Sequence, residues 1–247
     1  MLTRDVTPGI HRIEDAHTNW YLVEDDGAVT IVDAGVPQTS WPLLHEALRT
    51  IGRTAKDVRA LVLTHAHFDH IGFAEQARRE LGIQVLVHRD EVHLTKHPRD
   101  YDRERTPLYY IATKPRALPI VAAFLRRRAF WPDPIADVTT YTDGPLDVPG
   151  RPSVVFTPGH TYGHCALHFP ERDTLITGDA VVTLNPYTAS RGPQIVARAA
   201  TADSARALQS LDAIAATGAT AVLTGHGEPW RRGAAAMADD ARRAGLS

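Results

Sequence analysis

Apolar positions recur along this chain with two different periods, and the alternation between them predicts the order of its elements. Asn19 to Glu24 and Val29 to Asp33 are rich in β-formers, and Asp25-Asp26-Gly27 supplies a hairpin turn between them. Leu43, Leu44, Ala47 and Leu48 fall at helical spacing, which predicts a helix capped by Ser40 and ending near Gly52. Ala60 to Leu63 is a short apolar strand that runs straight into His65. Phe73 to Leu81 returns to helical spacing and stops at Gly82, and Ile83 to Val87 is another buried strand. Strand, helix, strand, helix, strand implies layered α/β packing.

The pattern breaks between about 88 and 137. Pro98, Pro107, Pro115, Pro119, Pro132 and Pro134 cut this stretch into short pieces, and aromatic residues gather in it. It reads as a helical lid inserted into a single domain spanning 1–247. Strands resume at Val138 to Tyr141, Ser153 to Phe156, Cys165 to Phe169 and Thr174 to Ile176. A helix over Ala200 to Ala216, a strand over Ala221 to Leu223 and a closing helix rich in Ala and Arg complete the chain.

Composition changes this picture little. Of 247 residues, 43% are hydrophobic and 23% charged, as in ordinary soluble domains. A net charge of −2 gives no sign of a nucleic-acid or membrane partner. No stretch approaches the roughly 20 apolar residues of a membrane helix. Met1-Leu2-Thr3-Arg4-Asp5 begins no apolar signal core, so a cytoplasmic location is expected. Cys165 stands alone and forms no internal disulfide. The 13 histidines are the unusual feature.

Their placement points to metal. Thr64-His65-Ala66-His67-Phe68-Asp69-His70 offers three imidazoles and a carboxylate at the end of a buried strand. Such donors suit zinc, iron or manganese at neutral pH. In an extended loop His65 and His67 project to one side, while Asp69 and His70 begin a turn that can face a second position. Pro158-Gly159-His160-Thr161-Tyr162-Gly163-His164, Thr177-Gly178-Asp179 and Thr224-Gly225-His226-Gly227 also follow strands. The glycine flanking His160 is expected to let the backbone approach a metal closely. Four strands ending in potential ligands place a site at one edge of a sheet.

Taken in order, these motifs resemble the metallo-β-lactamase superfamily, and Asp33 in Ile31-Val32-Asp33-Ala34-Gly35 fits its early aspartate. The resemblance spans residues 33 to 226 and implies a four-layer αββα sandwich with two metals along one edge. It implies that His65, His67 and His160 bind the first metal, that Asp69, His70 and His226 bind the second, and that Asp179 bridges them. Asp33 would orient the ligand loops, and His164 would be structural. Zinc is the first expectation, with iron or manganese as alternatives.

Two metals about 3.5 Å apart can share and acidify one water, with Asp69 as the catalytic proton shuttle. The expected reaction is hydrolysis of an ester, lactone or thioester in a small molecule, with a phosphoester as a further candidate. The competing expectation is a mononuclear iron oxygenase of the persulfide dioxygenase kind. Departures from known branches narrow the choice. Asp179 argues against β-lactams, and His67 stands where flavodiiron proteins have glutamate. Only 21 residues follow His226, which leaves no room for the helical domain of glyoxalase II. Acyl-homoserine lactonases place a tyrosine three residues after the bridging aspartate, where this chain has Val182; Tyr187 or Tyr162 would have to reach that space.

The lid is expected to form a substrate wall, with Tyr109, Tyr110, Phe124, Phe130 and Trp131 as apolar lining; a homodimer interface is the competing expectation. Residues 88 to 131 hold ten Lys or Arg against five Asp or Glu, so the lid would also attract anions.

Overall fold

The computed structural model describes all 247 residues. Strands β1 (Leu2–Thr7), β2 (Ile10–Asp15), β3 (Thr18–Asp25) and β4 (Ala28–Val32) form an antiparallel meander. Helix α1 (Ser40–Thr50) and helix α2 (Ala74–Leu81) then flank β5 (Val58–Val62), which leads through α2 to β6 (Gln84–His88). After the inserted helices α3 (Val92–Lys96), α4 (Pro107–Thr113) and α5 (Leu118–Arg126), β7 (Thr139–Tyr141) closes the first sheet. Its seven strands lie in chain order, and β4 to β7 run parallel. The second sheet is built from β8 (Gly144–Pro145), β9 (Ser153–Phe156), β10 (Cys165–Phe169), β11 (Thr174–Gly178) and, beyond the short hairpin β12 (Val182–Leu184) and β13 (Arg191–Gln194), β14 (Ala221–Thr224). Its order is β14-β11-β10-β9-β8, with β11 and β14 parallel. Helices α6 (Ser204–Ala216) and α7 (Ala234–Ala244) cover it. None of the helices is long and apolar enough to cross a membrane.

Four layers follow from side-chain alternation, because successive residues of a strand point to opposite faces. In β3, Trp20 and Leu22 face α1 and α2, while Tyr21 and Val23 face the second sheet. In β6, Val85 and Val87 join the helix-side core and Leu86 the core between the sheets. The second sheet repeats the scheme. Leu167, Ile176 and Leu223 point at the first sheet, whereas Ala166, Leu175 and Val222 pack under α6 and α7. Sequence patterning identifies most of these strands but not β1, β2 or the β12–β13 hairpin. In β2 the buried positions include His11, Arg12 and Asp15, so no alternation of apolar residues marks it.

Two turn chemistries behave differently. Gly82 takes the left-handed conformation at φ 66° and ends α2, as its position predicts. Ser40 is not the cap of α1: Thr39 precedes the helix, and the Ser40 hydroxyl accepts the Val36 N–H and reaches the Asp15 carboxylate.

The lid packs its inner face onto the loops beneath it. Ile120, Phe124 and Ala129 bury against Val36, Phe68 and Leu184. The Arg127 guanidinium reaches the buried Asp15 carboxylate at 3.4 Å.

Candidate metal centre

The parallel pairs of both sheets end at the same edge, and the ligand loops leave from there. His65, His67, Asp69 and His70 occupy the connection between β5 and α2; His160 lies between β9 and β10; Asp179 follows β11; His226 follows β14. All seven are at most 5% exposed. The donor atoms of His65, His67 and His160 lie within 4.8 Å of one another, and so do those of Asp69, His70 and His226. Asp179 stands between the groups: one oxygen is 3.6 Å from His70 Nε2, the other 3.5 Å from His160 Nε2 and 3.2 Å from His226 Nε2.

His65, His70 and His226 are held from behind, and the set is left open in front. Thr64 Oγ1 meets His65 Nδ1 at 3.0 Å, Asp33 Oδ2 meets His70 Nδ1 at 3.0 Å, and the His17 carbonyl accepts from His226 Nδ1 at 2.8 Å. Asp33 also accepts from the backbone N–H and hydroxyl of Thr64, tying the loop after β4 to the loop after β5. In front, Nε2 of His65, His67, His70 and His160, together with Asp179 Oδ1, are buried with no protein partner. A buried, unpaired polar atom costs about 1–3 kcal/mol. Five such atoms converging on one space fit a bound cation, and the nitrogen and oxygen donors suit zinc, iron or manganese.

The electrostatics divide the set. Burial, with the neighbouring imidazoles, pushes His65 and His160 well below the ordinary histidine range, and His67 falls to about 4. Burial also opposes charge on His70 and His226, yet nearby carboxylates prevail. Asp179, Asp69 and Asp33 lift His70 to about 9, and His226 rises well above its usual value. Burial alone would raise Asp69 and Asp179, but facing imidazoles hold both below the usual carboxylate range.

Glycine acts at one closest approach. A Cβ on Gly225 would collide with Asp179 Oδ1, so this loop can lie against the carboxylate only without a side chain. Gly159 serves packing as well: at φ 133°, a Cβ there would strike the Ala207 backbone of α6, so its absence lets this loop lie against the helix.

His164 sits behind the ligands. Its Nε2 accepts the Asp179 N–H at 3.1 Å, Thr157 holds its Nδ1 at 2.9 Å, and burial lowers its pKa to about 3.

The expected lining residues divide: Tyr110, Phe130 and Tyr187 share the wall of one cavity between α4 and α5, and the others lie elsewhere. Phe124 is buried against Phe68 and Phe130, because it lies on the inner face of α5. Tyr110 is also buried, and its hydroxyl donates to the Ser247 carbonyl. Tyr109 stands exposed beneath the Arg105 guanidinium. Trp131 is exposed on an outer cavity with Phe130, His97 and Arg99. Tyr162 is exposed on another with Tyr101 and Leu94. Tyr187, between β12 and β13, packs on Tyr110 and lies beside Tyr101; burial, with Tyr101 and Asp69 nearby, raises its pKa well above the usual tyrosine value.

Several residues escape the motifs. The Tyr101 ring lies 4.6 Å from that of His67. Thr18 donates to Asp69 Oδ2 at 3.1 Å. Glu91, fully buried, accepts from the N–H of Ala66 at 2.8 Å and of Gly163 at 2.9 Å, joining two ligand loops. No local pattern marks them; only the fold brings them in.

The profile described as the Metallo-beta-lactamase superfamily matches residues 13–226. The chain belongs to that superfamily. The probable metallo-hydrolase YflN of Bacillus subtilis (strain 168) is 26% identical to it over 242 residues, covering 91% of this chain and 86% of YflN. The N-acyl homoserine lactonase AttM of Azorhizobium caulinodans is 28% identical over 201 residues, 78% of this chain and 69% of AttM. A crystal structure of a metallo-beta-lactamase family protein from Thermus thermophilus superposes with a TM-score of 0.68 at 25% identity, covering 96% of this chain and 78% of that one. The four-layer fold of the superfamily is thus the fold of this chain.

Proposed function

We propose that this metal-dependent hydrolase holds two divalent metals and cleaves an ester, lactone or thioester that carries an apolar chain. The observation that carries the reading is the pair of three-residue donor clusters flanking Asp179. His65, His67 and His160 would hold one metal, Asp69, His70 and His226 the other, and Asp179 both. Zinc suits this set, as do iron and manganese. Bound there, the metals supply Lewis acidity and make a coordinated water acidic near neutral pH.

The chain's own residues do the rest. Asp69 is kept ionised by His70 and His226 and is fixed by the Thr18 hydroxyl, so it can take a proton from the attacking water and return it to the leaving group. Tyr187, in the wall of the lid cavity beside Tyr101, would offer its hydroxyl as a hydrogen-bond donor to a substrate oxygen. Tyr101 and Phe68 keep bulk water from the His67 side. A cavity of about 80 Å³ between α4 and α5, lined by Pro107, Ile111, Leu118 and Val121, has Tyr101 and Tyr187 in its wall and takes the apolar chain. The lactonase name of one relative supports a lactone among these substrates.

Elemental analysis followed by a panel of lactones, thioesters, phosphoesters and β-lactams of graded chain length tests this. Two metals per chain and preference for long-chain acyl substrates are expected. Val121→Phe, which fills the cavity, should raise KM for long chains and leave short ones unchanged. One iron per chain with oxygen consumption would replace the hydrolase reading with an oxygenase.

A further inference from the structure

Within the lid, the segment 105–131 carries charge of one sign and apolar side chains that nothing covers. Between 105 and 131 stand Arg105, Lys114, Arg116, Arg126, Arg127 and Arg128, with no Asp or Glu. The whole chain has 27 Lys and Arg against 29 Asp and Glu, so removing these six cations leaves 21 against 29, a net −8 on everything else. Only Arg127 of the six reaches a carboxylate. Lys114, Arg116, Arg126 and Arg128 stand exposed without an ion pair. Six of the nine exposed large apolar residues of the protein fall in the same stretch: Leu108, Tyr109, Ile111, Leu118, Leu125 and Trp131. Surface aliphatics scattered singly need no explanation, but a concentration this strong marks an interaction site.

The apolar residues form stripes. On α5, Leu118, Val121 and Leu125 follow i, i+3, i+7 spacing, turned away from the inner pair Ile120 and Phe124. On α4, Leu108 and Ile111 are a turn apart. Ile111, Lys114 and Leu118 meet where the cavity between the two helices opens. We propose that this lid face docks on an anionic lipid surface, with the cations among the headgroups and the aliphatic and Trp131 side chains at the acyl boundary.

Charge decides the partner. A second copy would bring six cations against six and be repelled. An anionic bilayer satisfies both features of the face, since Lys and Arg beside Trp and Leu are what holds a helix in the interfacial plane. The net negative remainder of the molecule turns away from the same surface, so docking has one orientation. This attachment is peripheral. The small overall charge, which points to no membrane partner, conceals a segregation that appears only when residues 105–131 are counted apart from the rest. If the hydrolase reading holds, docking also brings the cavity mouth to the acyl layer, so that amphiphilic substrates enter without crossing water.

Co-sedimentation of the full-length, metal-loaded protein tests the docking itself, independently of substrate. The probes are vesicles of phosphatidylglycerol and phosphatidylcholine in equal parts, and of phosphatidylcholine alone. Wild type should sediment with the mixed vesicles, not the neutral ones, and should be released near 1 M salt, where the screening length is about 3 Å. Arg126→Glu with Arg128→Glu should weaken partitioning by more than roughly tenfold. Leu108→Ser with Leu125→Ser should weaken it at unchanged charge. Both double variants should keep metal content and turnover of a soluble short-chain ester. Absence of wild-type binding to mixed vesicles, equal binding to neutral ones, or equal binding by the charge-reversed variant overturns the proposal. So does a wild-type dimer that the Leu108/Leu125 variant dissociates without any vesicle binding, which would make the face a self-interface.

Discussion

The two donor clusters stand side by side yet solve burial in opposite ways. His65, His67 and His160 are three imidazoles whose pKa values are pushed down, leaving neutral rings with buried, unpaired Nε2 atoms. His70 and His226 face Asp69 and Asp179, and their pKa values rise. The second cluster is therefore partly compensated by its own charges, although His70 Nε2 stays unpaired, whereas in the first only His160 comes near a carboxylate, Asp179 at 3.5 Å. Their braces differ as well. The first hangs from Thr64 and from Glu91, which ties Ala66 to Gly163. The second is held by Asp33, Thr18 and the His17 carbonyl, all from the first four strands and the loop that follows them. Donor identity is thus only half of what distinguishes the two clusters; the parts of the fold behind them set the rest.

The largest effect should come from removing the one residue common to both. Asp179→Ala should empty both positions on dialysis against chelator and abolish turnover; retention of a full metal at either one would break the picture of a shared carboxylate. Next in size is Asp69→Asn, which should lower turnover by roughly 10²- to 10⁴-fold and loosen metal in the second cluster alone. Activity within a few-fold of wild type would remove Asp69 from proton transfer. The smallest and most discriminating test pairs two supporting residues. Glu91→Gln puts an amide against one of two N–H donors and should weaken metal binding at the first cluster by roughly 10- to 100-fold. Thr18→Val should act on the second cluster by a smaller factor. If each variant releases both metals equally in competition with a chromogenic chelator, the clusters are not separately braced.

The metal edge was legible because its information is local: four residues within six positions, each ligand loop opening directly from an apolar strand. The αββα layering was legible in the same way, from strands such as β6, β10 and β11 whose residues are buried on both faces. What stayed hidden depends on long-range placement. β1 is an edge strand with only Val6 and Thr7 buried, and β2 buries His11 and Arg12, so neither shows an apolar pattern. In the lid, aromatic content was plain but helix facing was not: Phe124 turned inward, Trp131 outward, and Tyr101, three residues beyond Pro98, came to rest on His67. Glu91 and Thr18 look like any other polar residues until the sheets bring Gly163 and Asp69 to them.

The grip of the β2–β3 hairpin on the last ligand loop has a consequence for how the protein assembles. Arg12 donates to the Gly227 carbonyl, Asn19 to those of Thr224 and Gly227, and the Tyr21 hydroxyl to Thr224, while the His17 carbonyl takes His226. These contacts join residues some two hundred positions apart, the kind of closure that slows folding. The trio of imidazoles is complete once His160 has emerged during synthesis; the carboxylate-bearing cluster must wait for the final strand. On the proposed two-metal reading, the imidazole trio is therefore complete in the chain some sixty residues before the carboxylate-bearing set.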